Sequence, residues 1–364
     1  MKRTMRNRAI AATAVGGLGL LAAGGAIASS SNNLIVGSTA IQPAFNVLCT
    51  HIGGNFCTDS GGGSGAGITA LKNDTADWEA SDAPLQPSDI TGFVKSNGYR
   101  YFVPAIWGIS VATHFSGEKA PIRLDGGTLA SIFDGQVNKW NAPQIAALNP
   151  GVKLPNATIV ECVRGDSSGT SYTFSNYLAR VSGTFRTRVG PASKKPAWKG
   201  TITSYGTGNG LESACVNGTS NSIGYVELAT AIGSNKYLAS IGHKYKGKIY
   251  WTGPSSAALT AASVVASKEH GVSLTNGSAI QNGLLNTPSA SSYPIAATTF
   301  LLAYGNYSHL TAHGGGASQW AAVKKFINYA ISAKGQNLLP GIHFAKLPPA
   351  WVKLDQAQEK TVTP

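Results

Sequence analysis

Three times along this chain a strand is expected to end in a cluster of glycine and small hydroxyl residues that opens a helix. The run Leu34-Ile35-Val36 leads into Gly37-Ser38-Thr39-Ala40-Ile41-Gln42-Pro43. A second cluster, Gly61-Gly62-Gly63-Ser64-Gly65-Ala66-Gly67, precedes Ile68-Thr69-Ala70-Leu71. The third, Arg164-Gly165-Asp166-Ser167-Ser168-Gly169-Thr170, lies between Thr158–Val163 and a stretch with Phe174, Tyr177, Leu178 and Val181 on one helical face. Repeated strand–loop–helix junctions restrict the fold to α/β layers. They also restrict function. Glycine lets backbone N–H groups approach a ligand, helix N-termini carry unpaired donors at a positive dipole end, and Ser and Thr add hydroxyl donors. Three such termini converging would form a donor-rich cage for an oxyanion.

The rest of the chain fits the same class. Further strands are expected at Tyr101-Phe102-Val103, Ile223–Val226 and Ile295–Tyr304. The clearest helix is Ser318 to Lys334, with Trp320, Val323, Ile327, Ala330 and Ile331 on one stripe and Gly335 as a left-handed stop. Asn141, with Gln144 three residues on, reads as a capping-box start, and a shorter apolar stripe begins near Thr128. The end from Leu347 to Pro364 reads as a docked or trailing tail, and no internal repeat is visible. Apolar residues are 43% and charged residues 12%, which excludes a disordered chain. The formal charge of +13 suggests nucleic acid, but the cations are scattered, with no run longer than two. No nucleic-acid partner is implied.

Four of those cations, Lys2, Arg3, Arg6 and Arg8, precede an apolar stretch from Ala9 to Gly25 and the small-x-small site Ala26-Ile27-Ala28. Residues 1–28 therefore read as a secretory signal peptide cut before Ser29. Its loss takes the formal charge to +9. No Cys follows the cut, so lipid anchoring there is not expected, and no later run is long and apolar enough for a membrane helix. Export to an oxidising compartment makes the four cysteines a disulfide set. Cys49–Cys57 with Cys162–Cys215 is the economical pairing among three connectivities, and no spacing suggests a metal or cofactor site.

Single motifs leave the function open. The second cluster lacks the Lys-Ser/Thr of a P-loop, which disfavours nucleotide binding. The third contains Gly165-x-Ser167-x-Gly169, the pattern of a nucleophile elbow, and a secreted serine hydrolase would pair Ser167 with a later acid and His such as Glu227 and His243. A fourth segment, Ala80-Ser81-Asp82-Ala83-Pro84-Leu85, tips the balance. With Arg164-x-Asp166-x-Ser168-Gly169-Thr170-Ser171, Gly126-x-Thr128-Leu129-x-x-Ile132, Leu148-Asn149-Pro150-Gly151, Ser222-Ile223-Gly224-Tyr225-Val226-Glu227 and Tyr293-Pro294-Ile295-x-x-Thr298-Thr299-Phe300, it resembles the periplasmic phosphate-binding protein of the phosphate ABC transporter along nearly all of the mature chain.

That resemblance implies a two-lobed α/β fold of the periplasmic-binding-protein kind (type II-like). Each lobe would be a mixed sheet flanked by helices, with the ligand in the interlobe cleft. Lobe 1 would comprise residues 29–113 and 295–364, and lobe 2 residues 114–294. It implies high-affinity binding of inorganic phosphate in a Gram-negative periplasm, or beyond it if secreted, and delivery by a monomer to a membrane permease, with no catalysis and no cofactor. Arg164, Ser168, Gly169 and Thr170 would donate from one lobe, and Ser64, Thr39, Ala40 and Ile41 from the other. Asp166 would orient Arg164. The first loop departs from the family's Thr-Phe-Pro form by having Ile41-Gln42-Pro43. Asp82, ionised, can only accept a hydrogen bond. Protonated phosphate can donate to it whereas sulfate cannot, so the carboxylate would reject sulfate. The competing reading of Asp82 is a helix cap, and an oxyanion receptor of changed specificity is a further alternative.

Overall fold

The computed structural model describes residues 33–54, 56–204, 206–269 and 273–364; the expected signal peptide lies outside them. Two mixed sheets organise these residues. In the first, Asn33–Gly37 lies between Cys57–Gly62 and Trp78–Ser81, parallel to both, and Phe300–Tyr304 runs antiparallel between Trp78–Ser81 and Tyr99–Phe102. In the second, Ile106–His114 runs antiparallel to Ser222–Glu227, which continues in parallel to Val160–Val163 and Thr201–Ser204. A third, three-stranded sheet built from Arg123–Asp125, Ser240–Tyr245 and Lys248–Thr252 was not expected from the sequence. Burial follows position. The central strands Trp78–Ser81 and Ser222–Glu227 are buried throughout, while the edge strand Cys57–Gly62 alternates buried and exposed.

Helices cover these sheets, and an aromatic group packs behind each of the two large ones within one continuous core. Phe45, Trp78 and Phe326 pack behind the first sheet. Behind the second, Phe174 stacks on Tyr225 at 4.6 Å, with Phe133 and Trp198 around them. Both disulfides form as expected: Cys49–Cys57, with Cα atoms 5.3 Å apart, ties a helix to the edge strand. Cys162–Cys215, at 5.9 Å, ties Val160–Val163 to the helix Asn209–Gly218.

The chain crosses between the two sheets twice. It leaves the first after Phe102 and enters the second at Ile106; it returns between Ala296–Thr298, paired with Ile106–Gly108, and Phe300–Tyr304. The expected single strand Ile295–Tyr304 is thus two strands, because its halves pair with different sheets. The lobe boundary was expected after residue 113; strand pairing already joins Ile106–His114 to the second sheet. The crossings are bonded to each other, Thr298 Oγ1 donating to Ala105 O at 2.8 Å, and the first is also held from outside, Val103 N donating to Asp355 Oδ1 at 2.9 Å. Asp355 sits on the helix Pro349–Glu359, so the C-terminal segment is docked, with Trp351 buried.

Two local expectations fail for physical reasons. Asn141 does not cap; the helix starts at Pro143 after Ala142, with no side-chain cap, because proline supplies the preset first turn. Gly335 does not stop the long helix, which spans Gly316–Ala330. It lies inside a second helix, Ala333–Leu338, capped by Ser332. Its lack of a Cβ lets it pack against the Tyr329 carbonyl.

Candidate functional site

Four helices begin around one point between the sheets: Gln42–Gly53, Ser64–Asn73, Gly169–Val181 and Asn209–Gly218. The first two follow strands of the first sheet, the last two strands of the second. Contacts between their first turns show that they meet. Gly65 N donates to Ser167 O at 2.8 Å. Asn209 N and Nδ2 donate to Thr39 Oγ1 at 3.2 and 3.1 Å. Gly169 packs so closely that a Cβ there would overlap Ser64 Oγ and Asp82 Cβ. Only a glycine allows that approach.

From the second sheet, Arg164 leaves the end of Val160–Val163 and is almost wholly buried. Its Nε and Nη2 donate to the two oxygens of Asp166 at 2.7 and 2.6 Å, and Nη1 reaches Thr170 Oγ1 at 3.4 Å. This places Asp166 as the residue that orients the guanidinium. Burial works against the Arg164 charge, but Asp166 and the nearby Glu212 more than offset it and raise the pKa above its ordinary value. Burial pushes Glu212 itself well above the usual carboxylate range, with Arg164 pulling the other way. Ser168 caps the helix, its Oγ accepting from Ser171 N at 3.1 Å, which leaves its proton free to donate elsewhere. Thr170 Oγ1 accepts from Asn209 Nδ2 at 3.3 Å.

From the first sheet comes Asp82, just beyond Trp78–Ser81 and 1% exposed. Its Oδ1 accepts from Ser38 Oγ at 2.5 Å and Thr299 Oγ1 at 2.6 Å. Its backbone N donates to Ser64 Oγ at 3.0 Å. Both hydroxyls use the same carboxylate oxygen, while Oδ2 lies over Gly169. Burial raises the Asp82 pKa from 3.8 to about 6, against the pull of Ser38, Thr299, Arg164 and Ser64. The side chain caps no helix; it is held between two hydroxyls and turned toward the opposite lobe. Thr299 stands at the second chain crossing and accepts from Trp107 Nε1 at 3.0 Å, so Asp82 is linked through it to that crossing.

The expected residues are therefore gathered in one place, with differences inside the first loop. Thr39 faces the second lobe through Asn209. Ala40 and Ile41 are fully buried, and Ala40 N donates to Ser38 Oγ at 3.1 Å. Ser38, Thr299 and Asn209 received no role from the sequence. A signal existed for Asn209: Gly206-Thr207-Gly208-Asn209-Gly210 follows Thr201–Ser204 and is a fourth glycine-and-hydroxyl junction of the same composition. The hydrolase constellation is not assembled. Glu227 caps its own helix through Ala229 N and Thr230 N, and His243 Nε2 bonds Ser289 O at 2.6 Å.

Comparison with known proteins identifies the family and the fold. The family model described as a PBP superfamily domain matches residues 23–334. A phosphate-binding protein PstS of Xylella fastidiosa is 33% identical over 296 residues, covering 81% of this chain and 75% of the relative. Phosphate-binding protein PstS 2 of Mycobacterium tuberculosis is 31% identical, covering 76% and 71%. Among solved structures, a high affinity periplasmic phosphate-binding protein (PfluDING) bound with phosphate superposes with a TM-score of 0.68 at 17% identity, over 92% of this chain and 99% of that one. The ancestral soluble variant of the human phosphate binding protein gives 0.70 at 17%, over the same shares. The match of the PBP superfamily model over most of the chain, together with 33% and 31% sequence identity to these two PstS relatives, places this chain in the PBP superfamily and, within it, in the PstS phosphate-binding protein family.

Proposed function

We propose that this chain binds one inorganic phosphate in the cleft between its lobes and delivers it to the permease of a phosphate ABC transporter. The observation that carries the reading is the arrangement around Asp82. Its Oδ1 is saturated by two hydroxyls and its Oδ2 is turned toward a second lobe of donors. A fully ionised anion placed there meets an unpaired lone pair, whereas a protonated phosphate donates to it. Arg164, Ser64, Ser168, Thr170 and the first backbone amides of the Gly169 helix supply hydrogen bonds that replace the anion's lost hydration. Thr39 and the amides near Ala40 and Ile41 complete the set from the first loop. Asp166 positions Arg164 without touching the ligand.

Lobe 1 comprises the first sheet and lobe 2 the second, with the crossovers at Val103–Ala105 and at Thr299. Closure about them shuts water out of the site. The protein works as a monomer in the periplasm and carries out no covalent chemistry. The curated relatives are named as phosphate-binding proteins, and one structural neighbour was solved with phosphate bound, which supports this reading. Calorimetry on phosphate-stripped protein is the test. Saturable one-to-one binding of phosphate with weak competition from sulfate is expected; silence at millimolar phosphate sinks the assignment, and tighter binding of another oxyanion replaces the ligand.

A further inference from the structure

We propose that the contact between Gly65 and Ser167 is the stop that sets how far the cleft closes, and that Gly65 is glycine for this reason. Gly65 lies in the first turn of the helix Ser64–Asn73 on lobe 1. Ser167 lies in the loop after Val160–Val163 on lobe 2. Gly65 N donates to Ser167 O at 2.8 Å, one of the few backbone bonds that joins the lobes directly. A Cβ on Gly65 would overlap both Cβ and Oγ of Ser167, and would stand 3.0 Å from its carbonyl oxygen. Gly65 has an ordinary helical backbone, so nothing in its conformation calls for glycine. What calls for it is the opposing lobe.

Two neighbours make the contact a register and not a chance touch. Gly63 leaves room only for hydrogen beside Asp166, and Gly169 does the same beside Ser64 and Asp82. Lys194 Nζ stands 4.0 Å from Asp89 Oδ2, across the same seam, and Lys194 O accepts from Ser168 N at 3.1 Å. A groove of about 500 Å³ runs along the outside, lined by Gly65, Thr69, Lys72, Asp89, Ser167 and Lys194. The seam is thus one residue layer between solvent and the residues proposed to hold the anion. A methyl group inserted there would hold the lobes apart, and the donors of lobe 2 would no longer reach an anion held by lobe 1.

This inference rests on the phosphate reading, and the test separates the two. Gly65→Ala suits a helix better than glycine, so the ligand-free variant should melt no lower than wild type. Its phosphate affinity should fall at least tenfold, and small-angle scattering should show less compaction than in wild type. Ser167→Gly removes the atoms that collide. In the double variant Gly65→Ala/Ser167→Gly, affinity should recover at least threefold, a rescue that general damage to the helix would not give. Wild-type affinity in Gly65→Ala, or no recovery in the double variant, overturns the proposal. If wild type binds no phosphate, the functional reading fails, and scattering still decides the contact: identical profiles for wild type and Gly65→Ala would overturn it.

Discussion

The two halves of the site treat their acidic residues in opposite ways. On lobe 2, Asp166 engages Arg164 with both oxygens at 2.6–2.7 Å, a two-point ion pair that fixes the guanidinium. On lobe 1, Asp82 has no cation bonded to it; it is held by two hydroxyls through one oxygen, and burial raises its pKa to about 6. One aspartate is consumed in orienting a charge, while the other stays available to a proton. The difference divides the work of an anion receptor. On the proposed function, lobe 2 would supply attraction, and lobe 1 the test of whether the anion carries a proton. Residue type alone does not decide which role an acid takes; its bonding partner does.

The strongest way to break the comparison is to remove the cation. Arg164→Ala deletes a charge-assisted donor worth about 1.5–3 kcal/mol of phosphate binding. It also strands Asp166, buried and without its partner, at a stability cost of about 3–5 kcal/mol. Titration calorimetry and thermal melts should therefore change together. Unaltered stability would mean that Asp166 is satisfied without Arg164.

The lobe 1 half is probed by Asp82→Asn. The folded protein keeps a proton on Asp82 up to about pH 6, whereas the unfolded chain releases it near 3.8. This group's contribution to stability is therefore full below pH 4, falls as pH rises to about 6, and is level above. The total drop is on the order of 3 kcal/mol. Stability profiles of wild type and variant should diverge across that window, because asparagine does not titrate. The amide can also donate, so sulfate should be repelled less and the phosphate-to-sulfate ratio should narrow several-fold. An unchanged ratio would remove Asp82 as the proton reader.

These two residues also mark what the sequence made legible. The three glycine-and-hydroxyl loops and the Ser-Asp-Ala-Pro-Leu run are local patterns, so the donors and both aspartates could be named from composition, order and the family resemblance. The hydroxyls that hold Asp82 could not. Ser38 is 44 positions away and Thr299 is 217 away, and they meet Asp82 only because the strand before Ser38 and the strand after Thr299 are placed on either side of Trp78–Ser81 in the first sheet. Nor did the run Ile295–Tyr304 betray its change of sheet at Thr299: it is apolar on both sides, and no glycine or proline interrupts it after Ile295. The helix stop assigned to Gly335 failed for a related reason, since a glycine needed for close packing looks the same in sequence as one needed for a left-handed turn.

Asn209 bridges the two halves, and its loss should be milder. It donates to Thr39 on lobe 1 and to Thr170 on lobe 2, while its Oδ1 accepts from Glu227 N at 3.0 Å. Asn209→Ala should weaken phosphate by about 1 kcal/mol, the net worth of an ordinary hydrogen bond. Because it links the lobes only after closure, the effect should fall on dissociation, which stopped-flow measurement of both rates would separate. A change confined to association would place Asn209 outside the closed seam.

The smallest effect belongs to the residue that the rival reading made central. Ser167 sits in a Gly-x-Ser-x-Gly elbow, but the structure uses its backbone carbonyl, which accepts from Gly65 N, and among the described residues its hydroxyl has no acid–base partner. The nearest thing to a relay that the sequence offered, Glu227 with His243, is taken up by a helix cap and a backbone carbonyl. Ser167→Ala keeps the Cβ against Gly65 and the carbonyl in place, and it removes only the Oγ. Phosphate affinity, closure and melting temperature should all stay within about 0.5 kcal/mol of wild type, as for a substitution that touches no bonded group. A nucleophile behaves otherwise, because its oxygen forms and breaks the bond, and its loss ends turnover. Assay of wild type and variant on an activated ester is therefore decisive: activity present in the first and abolished in the second would make lobe 2 a catalytic half, and the division of labour between the two aspartates would have to be redrawn around it.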